Sequence, residues 1–369
     1  MADALLTPQT SLQDSSQVAV GYFAAQADGR LLCTLCPRHC TLADGQRGLC
    51  WVRGRVGDSM VLTTWGRSSG FCVDPIEKKP LYHFLPGSPI LSFGTAGCNL
   101  TCRFCQNWSI SKSRHDDTLQ VRATPEAIAA LAVAHSCPAL AMTYNDPVIY
   151  LEYADAVAQA CRARGIKTVA VTAGYIGDAA RDRFCRLYDA ANVDLKSFRD
   201  GFYQRLCGGH VQPVLDTLVY MVHEAKVWTE VTTLIIPGEN DSDGEMAELA
   251  DWMVSKLGRH VPLHLSAFHP DFKMLDHCAT PSALLRRLRA VAHAQGLQHV
   301  YLGNVRDPQG SVTYCHHCQA VLVARDGYQI TAYDLRDGHC PKCGTVCPGV
   351  WTASAGSWGA QRQPVQPRS

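Results

Sequence analysis

The sequence contains no uninterrupted apolar run long enough to cross a membrane, although 47% of its 369 residues are hydrophobic. It also lacks the basic start and apolar stretch of a secretory signal, because residues 1–17, MADALLTPQTSLQDSSQ, carry an acid and many polar side chains. These absences predict a cytoplasmic protein with neither a membrane span nor a leader peptide.

An excess of charge of one sign is missing as well. The 34 Lys and Arg residues nearly balance the 33 Asp and Glu residues, which leaves a formal net charge of +1. Such a chain has no general attraction for nucleic acid or anionic lipid, and it shows no obvious basic and aromatic stripe. We therefore expect neither nucleic acid nor membrane among its partners, and one or two globular domains with a large core.

Cysteine is abundant, with 18 residues in the chain. In a reducing compartment, thiols at close spacing are more often metal ligands than disulfides. Three groups have such spacing: Cys33, Cys36, Cys40 and Cys50 near the start; Cys98, Cys102 and Cys105 in the middle; and Cys315, Cys318, Cys340, Cys343 and Cys347 near the end. The others are scattered and are interpreted as small buried hydrophobic residues: Cys72, Cys137, Cys161, Cys185, Cys207 and Cys278.

Short β-branched runs alternate with helical patterns after the middle group, which is typical of βα units and a parallel sheet. The predicted strands are PILSF, ALAMT, KTVAVT, ANVDL, TEVTTLII, VPLHL and HVYLG, which end at Phe93, Thr143, Thr172, Leu195, Ile236, Leu265 and Gly303. Predicted helix starts lie at Thr124 and Thr280, each followed by proline, and predicted helix stops lie at Gly165, Gly258 and Gly296. The pattern predicts an α/β fold in the form of a partial βα barrel.

The same pattern divides the chain into four segments. We predict a Cys-rich N-terminal extension at residues 1–85, the barrel at 86–307 and a small module at 308–351. Residues 352–369 lack apolar periodicity and are predicted to be disordered.

The middle cysteines lie in GCNLTCRFCQNW, directly after the first predicted barrel strand. In a parallel βα sheet, functional residues lie at the carboxyl ends of the strands. Three thiolates bind a structural zinc only with a fourth ligand from elsewhere, because such sites are four-coordinate. A 4Fe-4S cluster is the other solution, with three irons on Cys98, Cys102 and Cys105 and the fourth iron open.

The run CNLTCRFC, with Phe104 before the third cysteine, resembles the signature of the radical S-adenosylmethionine (radical SAM) superfamily. The resemblance implies a partial (βα)6-type TIM barrel in which the open iron binds SAM. It also implies that one electron from the reduced cluster breaks SAM into methionine and a 5′-deoxyadenosyl radical, which abstracts a hydrogen atom.

Residues after the later strands extend this resemblance. The Thr-Ala-Gly after the third strand is similar to a Thr-Asn-Gly segment of relatives, and Asp-Leu-Lys after the fourth resembles glycyl-radical activating enzymes. Strand alternation places this Asp and Lys on one face. The SAM-binding residues that the resemblance implies are Asn145, Asp146, Thr172, Asp194, Lys196 and His269.

Over nearly the whole chain, the sequence is similar to the radical SAM enzyme of the AmmeMemoRadiSam system, a relative of pyruvate formate-lyase activating enzyme. The similarity rests on DPIEKKPLYHF, CQNWSIS, HLSAFHPDFKM and YLGNV. It implies Memo-family and AMMECR-type proteins as partners, and a flavodoxin or ferredoxin as electron donor. Two functions remain open: a radical enzyme that acts on a protein glycine or a small molecule, and a non-catalytic metal scaffold or electron carrier.

The outer cysteine groups also predict metal sites. Cys315, Cys318, Cys340 and Cys343 form two CxxC knuckles, which predict a zinc ribbon or a rubredoxin-like iron site, with Cys347 as a possible spare ligand. The first group, in CTLCPRHCTLADGQRGLC, is irregularly spaced. It fits zinc, a second iron–sulfur cluster that passes electrons to the first, or unliganded thiols.

Overall fold

The computed structural model describes residues 17–113, 119 and 121–367. Residues 1–16, on which the prediction of a missing leader peptide rests, lie outside the described residues, as do the last two residues of the tail. No helix among the described residues combines the length and the apolar character that a membrane span requires.

The N-terminal segment, residues 17–68, is built from very short strands. They are β1 (Val18–Ala19), β2 (Phe23–Ala25), β3 (Leu31–Cys33), β4 (Thr41–Leu42), β5 (Arg53–Val56), β6 (Ser59–Leu62) and β7 (Arg67–Ser68). Two small sheets result, in the orders β1-β6-β5 and β2-β3-β4.

The central sheet follows. Its strands, with the short β10 that pairs with β7, are β8 (Phe71–Pro75), β9 (Pro89–Phe93), β10 (Val121–Arg122), β11 (Ala139–Met142), β12 (Lys167–Thr172), β13 (Ala190–Asp194), β14 (Trp228–Ile235), β15 (Leu263–Ala267) and β16 (Val300–Gly303). The helices are α1 (Trp108–Ser111), α2 (Pro125–Ala134), α3 (Leu151–Arg162), α4 (Asp178–Cys185), α5 (Asp200–Phe202), α6 (Gln212–His223), α7 (Asp243–Lys256) and α8 (Ser282–Ala294). Short 3-10 turns occupy Ile76–Lys78 and Pro147–Tyr150, and a π-helical turn occupies Tyr203–Cys207.

The predicted barrel strands are present and pair in parallel, in chain order from β9 and β11 through to β16. Consecutive βα units produce this order because each helix returns the chain to the same end of the sheet. The sheet begins earlier than the predicted boundary at residue 85, since β8 pairs antiparallel with β9. The sheet is therefore mixed, with one antiparallel side.

Most of the predicted helix signals are confirmed. The Thr124 hydroxyl caps α2 by accepting from Ala127 N at 3.2 Å, as its position before Pro125 predicts. The chain turns into the left-handed region at Gly165, Gly258 and Gly296, after α3, α7 and α8. The helix start predicted at Thr280 and Pro281 is present, since α8 begins at Ser282, but Pro281 occupies the N-cap and the Thr280 hydroxyl donates to Ile235 O.

The tail contributes to the sheet as well. Its strand β20 (Gln363–Val365) pairs antiparallel with β8, so the prediction of disorder after residue 351 is wrong for this part. The pairing is made by backbone groups, with Pro364 opposite Cys72, and needs no apolar periodicity.

The two faces of the central sheet pack differently. One face carries large apolar residues such as Leu91 and Leu265, which belong to the main core with the helices. The opposite face, called the inner face here, carries small residues such as Ala141 and packs against residues 76–85. Residues 76–85 are called the plug here. The Glu230 carboxylate on β14 holds the plug in place by accepting hydrogen bonds from the backbone N of Tyr82 and His83 at 3.0 and 2.8 Å.

The C-terminal module contains the antiparallel strands β17 (Thr313–Tyr314), β18 (Val321–Asp326) and β19 (Gln329–Tyr333). It has a small core of its own that includes Cys315, Leu322 and Cys340. Arg325 joins the module to the plug, since its buried guanidinium donates to Tyr82 O at 2.7 Å.

A buried ion pair attaches the N-terminal segment to helix α3. The Arg53 guanidinium donates to both Glu152 oxygens, at 2.7 and 3.1 Å, and their side chains are 2% and 11% exposed. A bidentate pair of this kind fixes both position and orientation. Arg53 also donates to Gly21 O, so the side chain that binds α3 also joins two parts of the N-terminal segment.

Removing Glu152 should be costly, because it leaves the Arg53 charge buried without its partner. We expect Glu152→Ala to lower the free energy of unfolding by about 3–5 kcal/mol, measured by denaturant titration. The control is Glu248→Ala, which breaks the exposed pair with Arg199 and should leave stability nearly unchanged. Equal losses in the two variants would contradict the role given to the Arg53 pair.

Candidate functional site

The loop after β9, residues 94–107, carries the middle cysteines and is called the cluster loop here. Asn145, just after β11, holds it in place. Its Oδ1 accepts from Thr95 N at 3.0 Å, and its Nδ2 donates to Ala96 O and Gly97 O at 3.2 and 3.1 Å. Backbone groups that would otherwise be unpaired are thereby satisfied, so the loop has a defined shape before any metal binds.

The three thiols of this loop, called the triplet, are free and partly enclosed. Cys102 is buried, whereas Cys98 and Cys105 are half-buried. The Cys98 sulfur accepts from Leu100 N at 3.5 Å, and the Cys105 sulfur lies 3.0 Å from the Ser111 hydroxyl.

The spacing of the triplet distinguishes between the metals considered. Groups among the described residues whose ligand atoms all lie within 4.8 Å of one another do not include Cys98, Cys102 and Cys105. A single tetrahedral metal with sulfur bonds of about 2.3 Å holds its sulfurs about 3.8 Å apart. An iron–sulfur cluster binds each thiolate through a different iron and separates them further. The triplet is thus not arranged as a closed site for one tetrahedral ion, and its binding of an iron–sulfur cluster stays a prediction.

Positive charge lies close to the triplet. A hydrogen bond with the Cys207 thiol lowers the pKa of Cys102, and the positive charge of Lys196 acts in the same direction. Burial raises the pKa of Cys98 to about 12, against the opposing charge of Lys112. The two lysines are thus placed to offset negative charge that thiolates would bring to this pocket.

Lys196 forms an ion pair with Asp194 at 2.5 Å, as expected for residues on one face of a strand end. Although burial opposes it, the Asp194 carboxylate raises the pKa of Lys196, so the lysine is charged. The structure therefore brings this predicted pair beside Cys102. Contact of either side chain with SAM stays a prediction.

The other predicted SAM ligands are engaged with the protein itself. Asp146 accepts from Thr172 Oγ1 and Ala173 N at 2.8 and 2.9 Å, and it also caps the turn at Val148. Burial raises the pKa of this carboxyl despite the three donors. Asp146, Thr172 and Asn145 thus fix the loops after β9, β11 and β12 relative to one another, and their contact with SAM stays a prediction.

His269 lies at the exposed edge of the site. Its Nε2 is 3.2 Å from Gln106 Nε2, next to Cys105 in the chain. The same loop after β15 packs against α1, where the Trp108 ring stacks on Phe272 with centroids 5.6 Å apart. The predicted histidine is therefore near the cluster loop, on its solvent side.

One residue near the triplet was not predicted. Cys207 was interpreted as an isolated buried hydrophobic residue; it is buried, but its thiol lies beside Cys102. Its carbonyl also accepts from Thr101 N at 2.8 Å. The π-helical turn that places it there has no spacing signal in the sequence, so only the fold could reveal it.

The C-terminal quartet, Cys315, Cys318, Cys340 and Cys343, has a much tighter arrangement. Its four sulfurs lie within 4.8 Å of one another, and the sulfur pairs Cys315–Cys343 and Cys318–Cys340 are each 3.6 Å apart. This spacing fits one four-coordinate metal ion. The structure thus brings the two predicted knuckles together.

Cys347 is not part of that quartet. It lies with His83 and His299 in a fully buried group at the junction of the plug and the module. Both His83 nitrogens have protein partners, Pro348 O at 2.7 Å and Tyr301 Oη at 2.6 Å, and burial lowers the pKa of His299 to about 3. We interpret this group as a packed junction with neutral imidazoles.

A glycine substitution tests how far the cluster loop depends on its neighbours. Gly97 has φ +80° and a Cβ there would overlap the Cys50 carbonyl oxygen, a backbone atom that cannot rotate away. Gly97→Ala should lower the iron bound per chain after anaerobic reconstitution by at least half. Iron analysis measures this, and metal retained at the C-terminal quartet shows that the chain is folded.

The matched control is Gly45→Ala. Gly45 has φ +76°, so both variants carry similar left-handed strain of about 1–2 kcal/mol, but nothing lies within 4 Å of its added Cβ. Iron binding by this control should equal that of the wild type. Full iron binding by Gly97→Ala as well would show that the close approach is not required.

Comparison with known proteins agrees with the site. The sequence profile of the Radical SAM superfamily matches residues 93–250, which include the triplet and β13. An uncharacterized protein of Methanocaldococcus jannaschii is 36% identical over 319 residues, covering 86% of this chain and 95% of that protein.

Solved structures are similar at low sequence identity. A domain of pyruvate-formate lyase-activating enzyme from Bacteroides vulgatus is 18% identical, with a TM-score of 0.40, over 44% of this chain and 98% of that chain. A radical SAM methyltransferase from Sphaerobacter thermophilus is 15% identical, with a TM-score of 0.47, over 80% of this chain and 76% of that chain. The sequence match and the position of the triplet after β9 together identify the chain as a member of the radical SAM superfamily.

Proposed function

We propose that this protein is a radical enzyme that binds a 4Fe-4S cluster through Cys98, Cys102 and Cys105, with SAM beside it. When bound and reduced, the cluster supplies the electron that splits SAM into methionine and a 5′-deoxyadenosyl radical, which abstracts a hydrogen atom from the substrate. The observation that carries this proposal is a loop held in shape by Asn145 that carries three free thiols at the carboxyl end of a parallel sheet.

The surrounding residues have distinct tasks in this proposal. Lys112 and Lys196 offset the negative charge of the thiolates, which favours keeping the cofactors in a partly buried site. Asn145 and Asp146 keep the cluster loop and its neighbours in one arrangement through their hydrogen bonds. Phe104, which is 3% exposed, excludes water from the protein side of the loop.

The substrate we propose is a protein segment, such as a glycine-containing loop. Trp108, three residues after Cys105, is 45% exposed, and Leu275 after β15 is 71% exposed. Exposed large apolar side chains beside a reactive site favour contact with another macromolecule. A flavodoxin or ferredoxin donor and Memo-family or AMMECR-type partners remain predictions from the sequence resemblance.

Formation of 5′-deoxyadenosine tests the proposal. The anaerobically reconstituted wild type should release it from SAM in the presence of dithionite, and the triple variant Cys98→Ala, Cys102→Ala, Cys105→Ala should release none. A matched control changes Cys137, Cys161 and Cys185, three buried thiols outside the site, to alanine and should retain cleavage. An electron carrier would instead take up electrons without producing 5′-deoxyadenosine, and that result from the wild type would overturn the proposal.

Zinc is the metal we propose for the C-terminal quartet, in a structural role, because four thiolates leave no open position. Cys340→Ala in the full chain should lower bound zinc by one equivalent and speed proteolysis within residues 308–351, since binding energy at such a site is folding energy. Cys347→Ala is the control and should keep the metal, because Cys347 lies outside the quartet. Equal zinc content in both variants, or iron in place of zinc, would contradict this assignment.

A further inference from the structure

The first cysteine group comes together in the folded chain. Cys33, Cys36, Cys40 and Cys50 all line one cavity, and all four are free thiols. They reach it from different elements, because Cys33 ends β3, Cys40 precedes β4 and Cys50 precedes β5. The irregular spacing in the sequence is therefore no obstacle to a common site.

This cavity adjoins the cluster loop. Asn99, the residue after Cys98, lines it, and the Arg38 Nε donates to Asn99 O at 2.7 Å. On the other side of Cys98 in the chain, Gly97 packs so closely on the Cys50 carbonyl that no Cβ fits between them. Any group bound in the cavity would thus be separated from the triplet by little more than one residue of the cluster loop.

The sulfurs of the N-terminal thiols are less tightly grouped than those of the C-terminal quartet. Among the described residues, no three of the four N-terminal thiols have sulfurs that all lie within 4.8 Å of one another, whereas the C-terminal four do. A site for one tetrahedral ion needs the tighter arrangement, whereas a 4Fe-4S cluster binds each thiolate through a different iron. Four thiolates also occupy every iron of a 4Fe-4S cluster, leaving no open position.

Two unused donors point to the same ligand. Arg38 Nη2 and Arg53 Nε are buried and have no hydrogen-bond partner among the residues that the structure describes, and both side chains line the cavity. A buried N–H group without an acceptor is costly, whereas cluster sulfides and thiolates accept such hydrogen bonds. A 4Fe-4S cluster with four thiolates carries net negative charge, which the Arg38 guanidinium would offset, since the charge of Arg53 is already paired with Glu152.

We propose that Cys33, Cys36, Cys40 and Cys50 bind a second 4Fe-4S cluster that passes one electron to the cluster of the triplet. This electron transfer rests on the proposed function, because its acceptor is the cluster proposed at the triplet. A low-potential one-electron donor protein reduces the second cluster by one electron, and that cluster is reoxidised when the triplet cluster is reduced; no bond or proton is transferred. The donor can approach at Asp44 and Arg47, which are exposed between Cys40 and Cys50.

Iron content tests the binding site. After anaerobic reconstitution, the wild type should hold about eight irons per chain. The triplet variant, in which Cys98, Cys102 and Cys105 are alanine, should hold about four. The quadruple variant, in which the four N-terminal thiols are alanine, should also hold about four. Reduced triplet variant, which keeps the native N-terminal thiols, should show an EPR signal that SAM does not alter. Zinc in place of iron at the N-terminal site, or about four irons in the wild type, would overturn the proposal. The iron content of the triplet variant reports on the N-terminal site even if the quadruple variant fails to fold.

Electron delivery tests the relay. The yield of 5′-deoxyadenosine with reduced flavodoxin, relative to the yield with dithionite, should fall at least tenfold in the quadruple variant, because dithionite is small enough to reach the triplet cluster directly. An unchanged ratio would overturn the relay. Eight irons in a wild type that never cleaves SAM would overturn the proposed function while supporting the second cluster, so the two failures are distinguishable.

Discussion

The hydrogen bonds from the Asn145 side chain to the cluster loop are the interaction on which the site depends. They use both the oxygen and the nitrogen of the amide, and they join the end of β11 to the loop after β9. Asp146, the next residue, joins β11 to the end of β12 in the same way. The carboxyl ends of three neighbouring strands are thereby fixed before cofactors bind, which reduces the reorganisation that binding requires.

The N-terminal segment completes this arrangement from the other side. The buried Arg53–Glu152 pair sets its position on α3, and the contact of Gly97 with Cys50 brings its cysteines against the cluster loop. Two groups of thiols that are separate in the sequence therefore lie on either side of the same short stretch of backbone. The third group lies in a module with its own small core, attached through Arg325 to the plug.

The sequence predicts the parallel strands well because both faces of the sheet are covered, so each strand is a short, nearly continuous apolar run such as Ala139–Met142. It does not predict strands such as Phe23–Ala25, which is exposed throughout, or Gln363–Val365, because backbone pairing alone forms them. The sequence predicts the three cysteine groups from their close spacing, since metal sites require several thiols. It does not predict the position of Cys207 beside Cys102, because that position depends on how a π-helical turn packs. The hydrogen bonds of Asn145 and Asp146 are not predicted either, because they depend on loop geometry that no motif encodes.

Among the described residues, the C-terminal quartet brings its four sulfurs within 4.8 Å of one another, and neither the triplet nor any three of the N-terminal thiols do so. In the proposed function, the triplet leaves one iron of its cluster open for SAM. Pulsed EPR of the reduced, anaerobically reconstituted wild type with SAM labelled by ¹⁵N at its amino group detects SAM bound at that iron. We expect a hyperfine coupling between the cluster and the labelled nitrogen that disappears in the triplet variant. An intact reduced triplet cluster with SAM present and no such coupling would contradict it.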